Sequence, residues 1–234
     1  MQLERLLQSQ GFGSRKVCRA LIRAEAVSVR GQPCDDPFLE CDPEGLEFSV
    51  DGQPWRYREK AYLMLHKPTG YECSRAPRDH PGVLSLLPSP LLTRGVQPVG
   101  RLDEDTTGLL LLSDDGVFIH NLIAPKRKVA KVYEVHAKHP MADEQLAALR
   151  TGVLLHDATE PVAASACERI SERVFLLTVT EGRYHQVKRM VAAAGNRVED
   201  LRRVQVGGLK LPDDLPAGEW RWLETADLAR LADG

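Results

Sequence analysis

The spacing of apolar positions changes along the chain. Near the start it is helical: Leu3, Leu6 and Leu7 share one face of a short segment, Gly11 and Gly13 interrupt it, and Ser14 stands where a second helix needs an N-cap. At about 100° per residue, Val17, Ala20, Leu21 and Ala24 fill one arc of that second helix, while Arg15, Lys16, Arg19 and Arg23 fill another. The first arc is expected to pack and the second to offer cations outward. Short strands follow, Val27-Ser28-Val29 before a turn at Arg30-Gly31, then Leu46 to Val50 before the hairpin signal Asp51-Gly52. Trp55 to Lys60, polar and charged between two apolar segments, reads as a linker.

From Ala61 onward the periodicity is mainly that of strands. Tyr62 to Leu65 is stopped by Pro68 and Gly70, Leu109 to Leu112 reads as fully buried, and Val132 to Ala137 and Val174 to Thr180 alternate. Helical spacing returns at Val187, Met190, Val191 and Ala194, ending at Gly195-Asn196, and again at Leu228, Leu231 and Ala232. The expected fold is α+β, with a small domain over 1–58 and a larger one over 59–234.

At 234 residues the chain is long enough for two cores. No run approaches the ~18 apolar residues that span a bilayer, and the start lacks a signal pattern, so a cytoplasmic, membrane-free protein is expected. Five scattered cysteines form no Cys-x-x-Cys pair, and His136 and His139 lie where a strand runs into a loop; no metal is expected. The net charge of -2 conceals an uneven distribution. Residues 1–30, 121–140 and 181–210 together carry +12, leaving -14 for the rest. Any one basic stretch could be a solvated face, but three in an acidic chain favour a polyanionic partner.

Candidate chemistry is concentrated in the polar loop Pro98 to Gly108, which runs directly into the apolar strand Leu109 to Leu112. Asp103, Asp105 and Thr107 fit the Asp-x-Asp-x-Thr pattern of phosphotransferases, but there the nucleophile follows a hydrophobic strand, whereas here the strand follows the Asp. Asp103, Asp105 and Gly108 match positions one, three and six of a calcium loop, but Asp114 stands where Glu is needed. A loop that merely caps strands is the plainer alternative.

Gly100-Arg101-Leu102-Asp103 followed by Thr106-Thr107-Gly108-Leu109 resembles the signature of bacterial pseudouridine synthases of the ribosomal small-subunit type. Met64 to Tyr71 resembles the opening strand of that catalytic domain, with His66 where Asn is frequent. Lys131-Val132-Tyr133 resembles its tyrosine motif, and Glu181 to Met190 its last motif. Within that motif Tyr184-His185-Gln186 matches members acting on small-subunit RNA; those acting on large-subunit RNA typically carry Asn and Arg or Glu there. The basic helix pair and short strands at the start resemble the RNA-binding module named for ribosomal protein S4.

The resemblance implies isomerisation of one uridine of 16S ribosomal RNA, naked or within a partly assembled particle, by a cofactor-free monomer. It implies a mixed, largely antiparallel sheet with flanking helices. Asp103 would be the essential carboxylate, whether it attacks the sugar, adds to the base or removes a sugar proton, and Lys188 the cation that keeps it ionised. Periodicity makes Tyr133 a core residue, whereas the resemblance sets it against the uracil ring. Arg101 would fill the space left by the displaced base, with Arg183 and Arg189 beside it. Arg15, Lys16, Arg19 and Arg23 would contact phosphates from the first domain, and Lys126, Arg127, Lys128, Arg202 and Arg203 from the second.

Overall fold

A computed structural model describes residues 1–74 and 76–232, the last of these by its backbone alone. Two compact units are present: Met1–Ala61 together with Leu87–Gln97 and Ser113–Asp115, and the remainder from Tyr62 onward.

The first unit contains α1 (Leu3–Ser9), α2 (Arg15–Arg23) and a four-stranded antiparallel sheet of order β2-β1-β3-β4. Its strands are β1 (Val27–Val29), β2 (Gln32–Cys34), β3 (Glu47–Val50) and β4 (Gln53–Arg56). Ser14 caps α2, accepting a hydrogen bond from the Val17 amide at 3.4 Å. Asp51 and Gly52, both at positive φ, make the tight turn between β3 and β4.

Two expectations are corrected here. The buried face of α2 is formed by Cys18 and Ile22, while Val17 is 47% exposed and Ala20 and Ala24 face outward. Burying Ile22 removes more apolar area from water than burying alanines, which sets the rotation of the helix. The supposed linker is also shorter: β4 runs to Arg56, and Trp55 packs edge-on against Phe12, with centroids 5.3 Å apart. A further helix, α3 (Ser89–Thr93), belongs to this unit. Beyond it Arg94, almost wholly buried, pairs with Asp114 at 2.7 Å and donates to Gln10 and to the carbonyls of Arg58 and Glu59.

In chain order, the second unit is built on β5 (Tyr62–Lys67), β6 (Gln97–Pro98), β7 (Thr107–Ser113), α4 (Gly116–Ile123), β8 (Lys131–Ala137) and α5 (Asp143–Thr151). Then follow β9 (Ala166–Arg169), β10 (Val174–Val179), α6 (Gln186–Ala193), β11 (Val198–Val206), β12 (Leu209–Lys210), β13 (Trp220–Trp222) and α7 (Thr225–Ala232). The described strands form a mixed sheet of order β13-β5-β7-β11-β8-β10-β9, with β12 on β11 and β6 on β7. The β7–β11 pair is parallel, and β11–β8, β8–β10, β10–β9 and β13–β5 are antiparallel. The fold is therefore α+β with a large, mostly antiparallel sheet.

Leu109 to Leu112 are all buried in β7, as an unbroken apolar run demands. Gly108 lies so close to β11 that a side chain there would collide with the Arg203 backbone, and its φ of +102° disfavours any L side chain. On the other side of β11, Val135 of β8 and Leu177 and Val179 of β10 form a core with Val187, Met190 and Val191 of α6. The sheet and α6 thus hold β7, β8 and β11 rigidly at their ends, where the polar loop leaves the sheet.

Candidate active site

The loop before β7 is fixed from beneath by a buried lysine. Lys67, 0% exposed at the end of β5, donates to the carbonyls of Pro68 at 3.0 Å and of Glu104 and Thr106 at 2.9 Å each. Its ammonium is pushed below the ordinary lysine pKa by burial, partly offset by the nearby Cys73, Glu104, Asp105 and Asp103. Three carbonyl acceptors satisfy all three ammonium hydrogens, so the loop is pinned in one shape. The Thr106 amide donates to the Asp103 carbonyl at 3.1 Å, closing the turn that carries both aspartates.

Asp103 and Asp105 face the first turns of α6. Lys188 Nζ lies 2.6 Å from Asp105 Oδ1 and 3.5 Å from Asp103 Oδ2. His185, in the left-handed conformation at the N-cap of α6, places Nε2 3.4 Å from Asp103 Oδ1. Lys188 does approach Asp103, but its short bond is to Asp105. Burial opposes ionisation of Asp105, yet the Lys188 hydrogen bond and charge outweigh it, and its carboxyl stays below the usual aspartate range. Asp103 is left with two longer contacts and 30% side-chain exposure, so its oxygens remain open to a substrate.

Arg101, Asp103, Tyr133, Arg183 and Lys188 line one pocket of about 90 Å³. It shares Arg101, Asp103, Tyr133 and Arg183 with a wider cleft of about 790 Å³. Tyr133 lies at the outer end of the β8 face whose inner positions, Val135 and Ala137, are core, so it is half core residue and half cleft wall. Arg101 is exposed and forms no ion pair among the described residues. Arg183 pairs with Glu181 at 2.6 Å.

Other expected contacts fall elsewhere. Arg189 turns away from the pocket, pairs with Asp157 and donates to the Tyr184 carbonyl at 3.2 Å, so it is not the free outward cation expected. Arg203, with 5% exposure, is not a surface residue; it lies on the cleft floor and donates through Nε to the Leu109 carbonyl at 2.8 Å. Arg202, on the opposite face of β11, is half-buried. Lys126, Arg127 and Lys128 are exposed on a 3-10 turn. In the first unit Lys16 and Arg23 are exposed, Arg15 bonds Gln8 at 3.2 Å, and Arg19 is held by Glu4 rather than free. Periodicity placed none of Asp105, Lys67 and His185. The signal for Lys67 was a lysine at the end of an apolar strand immediately before Pro68.

A carboxylate held between a lysine and a histidine, beside an aromatic wall in a cleft lined by both cations and carboxylates, is an arrangement that can receive a nucleotide base. Residues 61–193 match the family described as RNA pseudouridylate synthase. The chain is 40% identical over 231 residues to the uncharacterized RNA pseudouridine synthase YtzG of Bacillus subtilis, covering 97% of each. It is 38% identical over 230 residues to ribosomal small subunit pseudouridine synthase A of Escherichia coli, covering 98% of this chain and 99% of that one. A crystal structure described as pseudouridylate synthase superposes with a TM-score of 0.70 at 34% identity, covering 99% of both chains. The chain belongs to the RNA pseudouridylate synthase family, in the group typified by small-subunit synthase A, and is an isomerase acting on RNA. No described helix is long and apolar enough to cross a membrane.

Proposed function

We propose that the protein converts one uridine of 16S ribosomal RNA, a uridine 516 type site, to pseudouridine. The observation that carries the reading is Asp103 between Lys188 and His185 at the mouth of a pocket walled by Tyr133. The named activity of relatives matched over nearly their whole length supports the choice of small-subunit RNA. The reaction breaks the bond from uracil N1 to the ribose, turns the base, and joins C5 to the same ribose carbon; C5 loses a proton and N1 gains one. No electrons leave the substrate, so the chemistry calls for no redox cofactor.

Asp103 is the carboxylate that acts at the sugar or base, and Lys188 and His185, at 3.5 and 3.4 Å, orient it. Tyr133 lies against the uracil ring next to C5. Arg101, unpaired among the described residues, takes the space that the displaced base leaves in the RNA, and Arg183 lines the same pocket. Residues 1–58, within the first unit, act as an S4-like module, with the exposed Lys16 and Arg23 among its cations for phosphates. Lys126, Arg127 and Lys128 add contacts from the second unit, and Arg189 and Arg202 serve through the shape of the surface around them. The substrate is 16S RNA in a partly assembled particle, bound by a cytoplasmic monomer.

The test is tritium release from C5-labelled uridine in small-subunit RNA or its precursor particle. Release by the native protein and none by Asp103→Asn, with RNA binding retained, supports the reading. Equal release by both, or pseudouridine appearing only in large-subunit RNA, overturns it.

A further inference from the structure

We propose that Lys131 and Arg203 form an anion subsite on the cleft floor that holds a phosphodiester of the RNA next to the uridine delivered to Asp103. The proposal rests on the reading of the cleft as the RNA site and adds a binding group to it.

The two side chains come together through strand register. Arg203 of β11 stands directly opposite Tyr133 of β8, and Lys131 lies two residues before Tyr133 on the same strand face. Residues directly opposite in an antiparallel pair share a face with Cβ atoms about 5 Å apart. A ring lying on Tyr133 therefore keeps its own ribose and phosphate within reach of the arginine. Both cations line the wide cleft, and neither lines the small pocket that contains Lys188.

Neither cation is ion-paired among the described residues, although Glu72, Asp79, Asp103, Glu104 and Glu181 line the same cleft at greater distance. Lys131 Nζ donates to the Val129 carbonyl at 2.9 Å, and Arg203 Nε donates to Leu109. Among the described residues no carboxylate is within ion-pair distance of either. The terminal nitrogens of Arg203 have no partner among the described residues, and the residue lines the cleft. Lys67, deeper still, is by contrast satisfied by three carbonyls. Burial first, and the positive charge of Arg203 second, push the Lys131 ammonium below its usual pKa. Two like charges kept together with no carboxylate at ion-pair distance are unfavourable in the free protein and become favourable when an anion enters.

A phosphodiester fits better than the base. Uracil is neutral until its bond to the ribose breaks, so its binding cannot offset two standing charges, whereas a phosphodiester is ionised throughout. A guanidinium edge beside an ammonium also matches the geometry of phosphate oxygens.

The experiment uses the full-length protein and RNA fragments in which single linkages around the target uridine are replaced by neutral methylphosphonate. Binding and tritium release are measured on each. The native protein is expected to lose about 10- to 100-fold in kcat/KM at one linkage flanking the target and little at others. Lys131→Met should lose a similar factor on unmodified RNA and nothing further at that linkage. Its melting temperature should rise, because a half-buried charge without a partner has been removed.

Indifference of the native protein to both flanking linkages overturns the subsite. So does a variant that loses turnover while the linkage penalty persists in full, which would place the cations on the base instead. If no RNA releases tritium but binding keeps the same linkage dependence, the isomerase reading falls and the subsite stands.

Discussion

Each unit contains a cluster of opposite charges, and the two clusters are built in contrasting ways. Around Arg94 every bond is short and internal: Asp114 at 2.7 Å, Gln10 at 3.0 Å, and the carbonyls of Arg58 and Glu59 at 2.9 and 3.1 Å. Around Asp103 the contacts are 3.4 and 3.5 Å, and the carboxylate is partly open. In the same site the short bond goes to Asp105, which leaves Lys188 in place and only loosely committed to Asp103. A satisfied buried pair holds chain segments together. An under-satisfied one leaves room for a substrate atom to take the remaining hydrogen bonds.

The sharpest way to break this contrast is to neutralise each cluster in turn. Asp103→Asn keeps the shape and removes the charge. Tritium release should fall by about 10,000-fold or more, with a melting temperature close to native. Substantial residual turnover would return Asp103 to the role of a capping loop residue. Arg94→Met should do the reverse. It strands the Asp114 carboxylate and three acceptors, costing about 3 to 5 kcal/mol of stability in denaturant melts. Below its lowered melting point the variant should turn over at near-native kcat. A large loss of kcat without loss of stability would show that the Arg94 cluster is not merely structural.

Lys188 lies between these extremes. Lys188→Met leaves Asp103 with His185 alone and Asp105 without its partner. The expectation is a loss of about 100-fold in kcat, with KM for RNA changed little, since the side chain faces two aspartates rather than solvent. A KM effect alone would make Lys188 a phosphate contact.

Much of this architecture was legible in the sequence. The strands carrying the site announced themselves by alternation or by an unbroken apolar run, and the four motifs placed Asp103, Tyr133 and Lys188 in one family signature. What was not legible has physical reasons. The register of α2 was ambiguous because apolar residues lie on two arcs. Val17 with three smaller or lesser-buried neighbours outnumbered Cys18 and Ile22, yet Ile22 had more area to gain. Strand β11 did not read as a strand at all, since Glu199, Asp200, Arg202, Arg203 and Gln205 break any apolar pattern. It is central to the sheet nonetheless, and its inward arginine lines a cleft instead of a dry core. Asp105 looked like one more loop acid because its partner lies 83 residues away in α6.

The smallest expected effect concerns that residue. Asp105 is ionised more readily in the folded chain than in the unfolded one, because Lys188 outweighs the opposing cost of burial. A depressed carboxyl pKa contributes stability that is complete above the unfolded value and fades as pH falls through the folded value, so the window lies below about pH 4. With 60% of its side chain exposed, solvent screens the pair, and the contribution is about 0.5 kcal/mol or less. Asp105→Asn should therefore melt within a degree or two of native at pH 7 and converge with it as acid protonates the native carboxyl. Turnover should change only a few-fold, because Lys188 released from Asp105 can close on Asp103. A loss as large as that of Asp103→Asn would show that Asp105 shares the chemistry, and the contrast between a holding carboxylate and a reacting one within the same loop would fail.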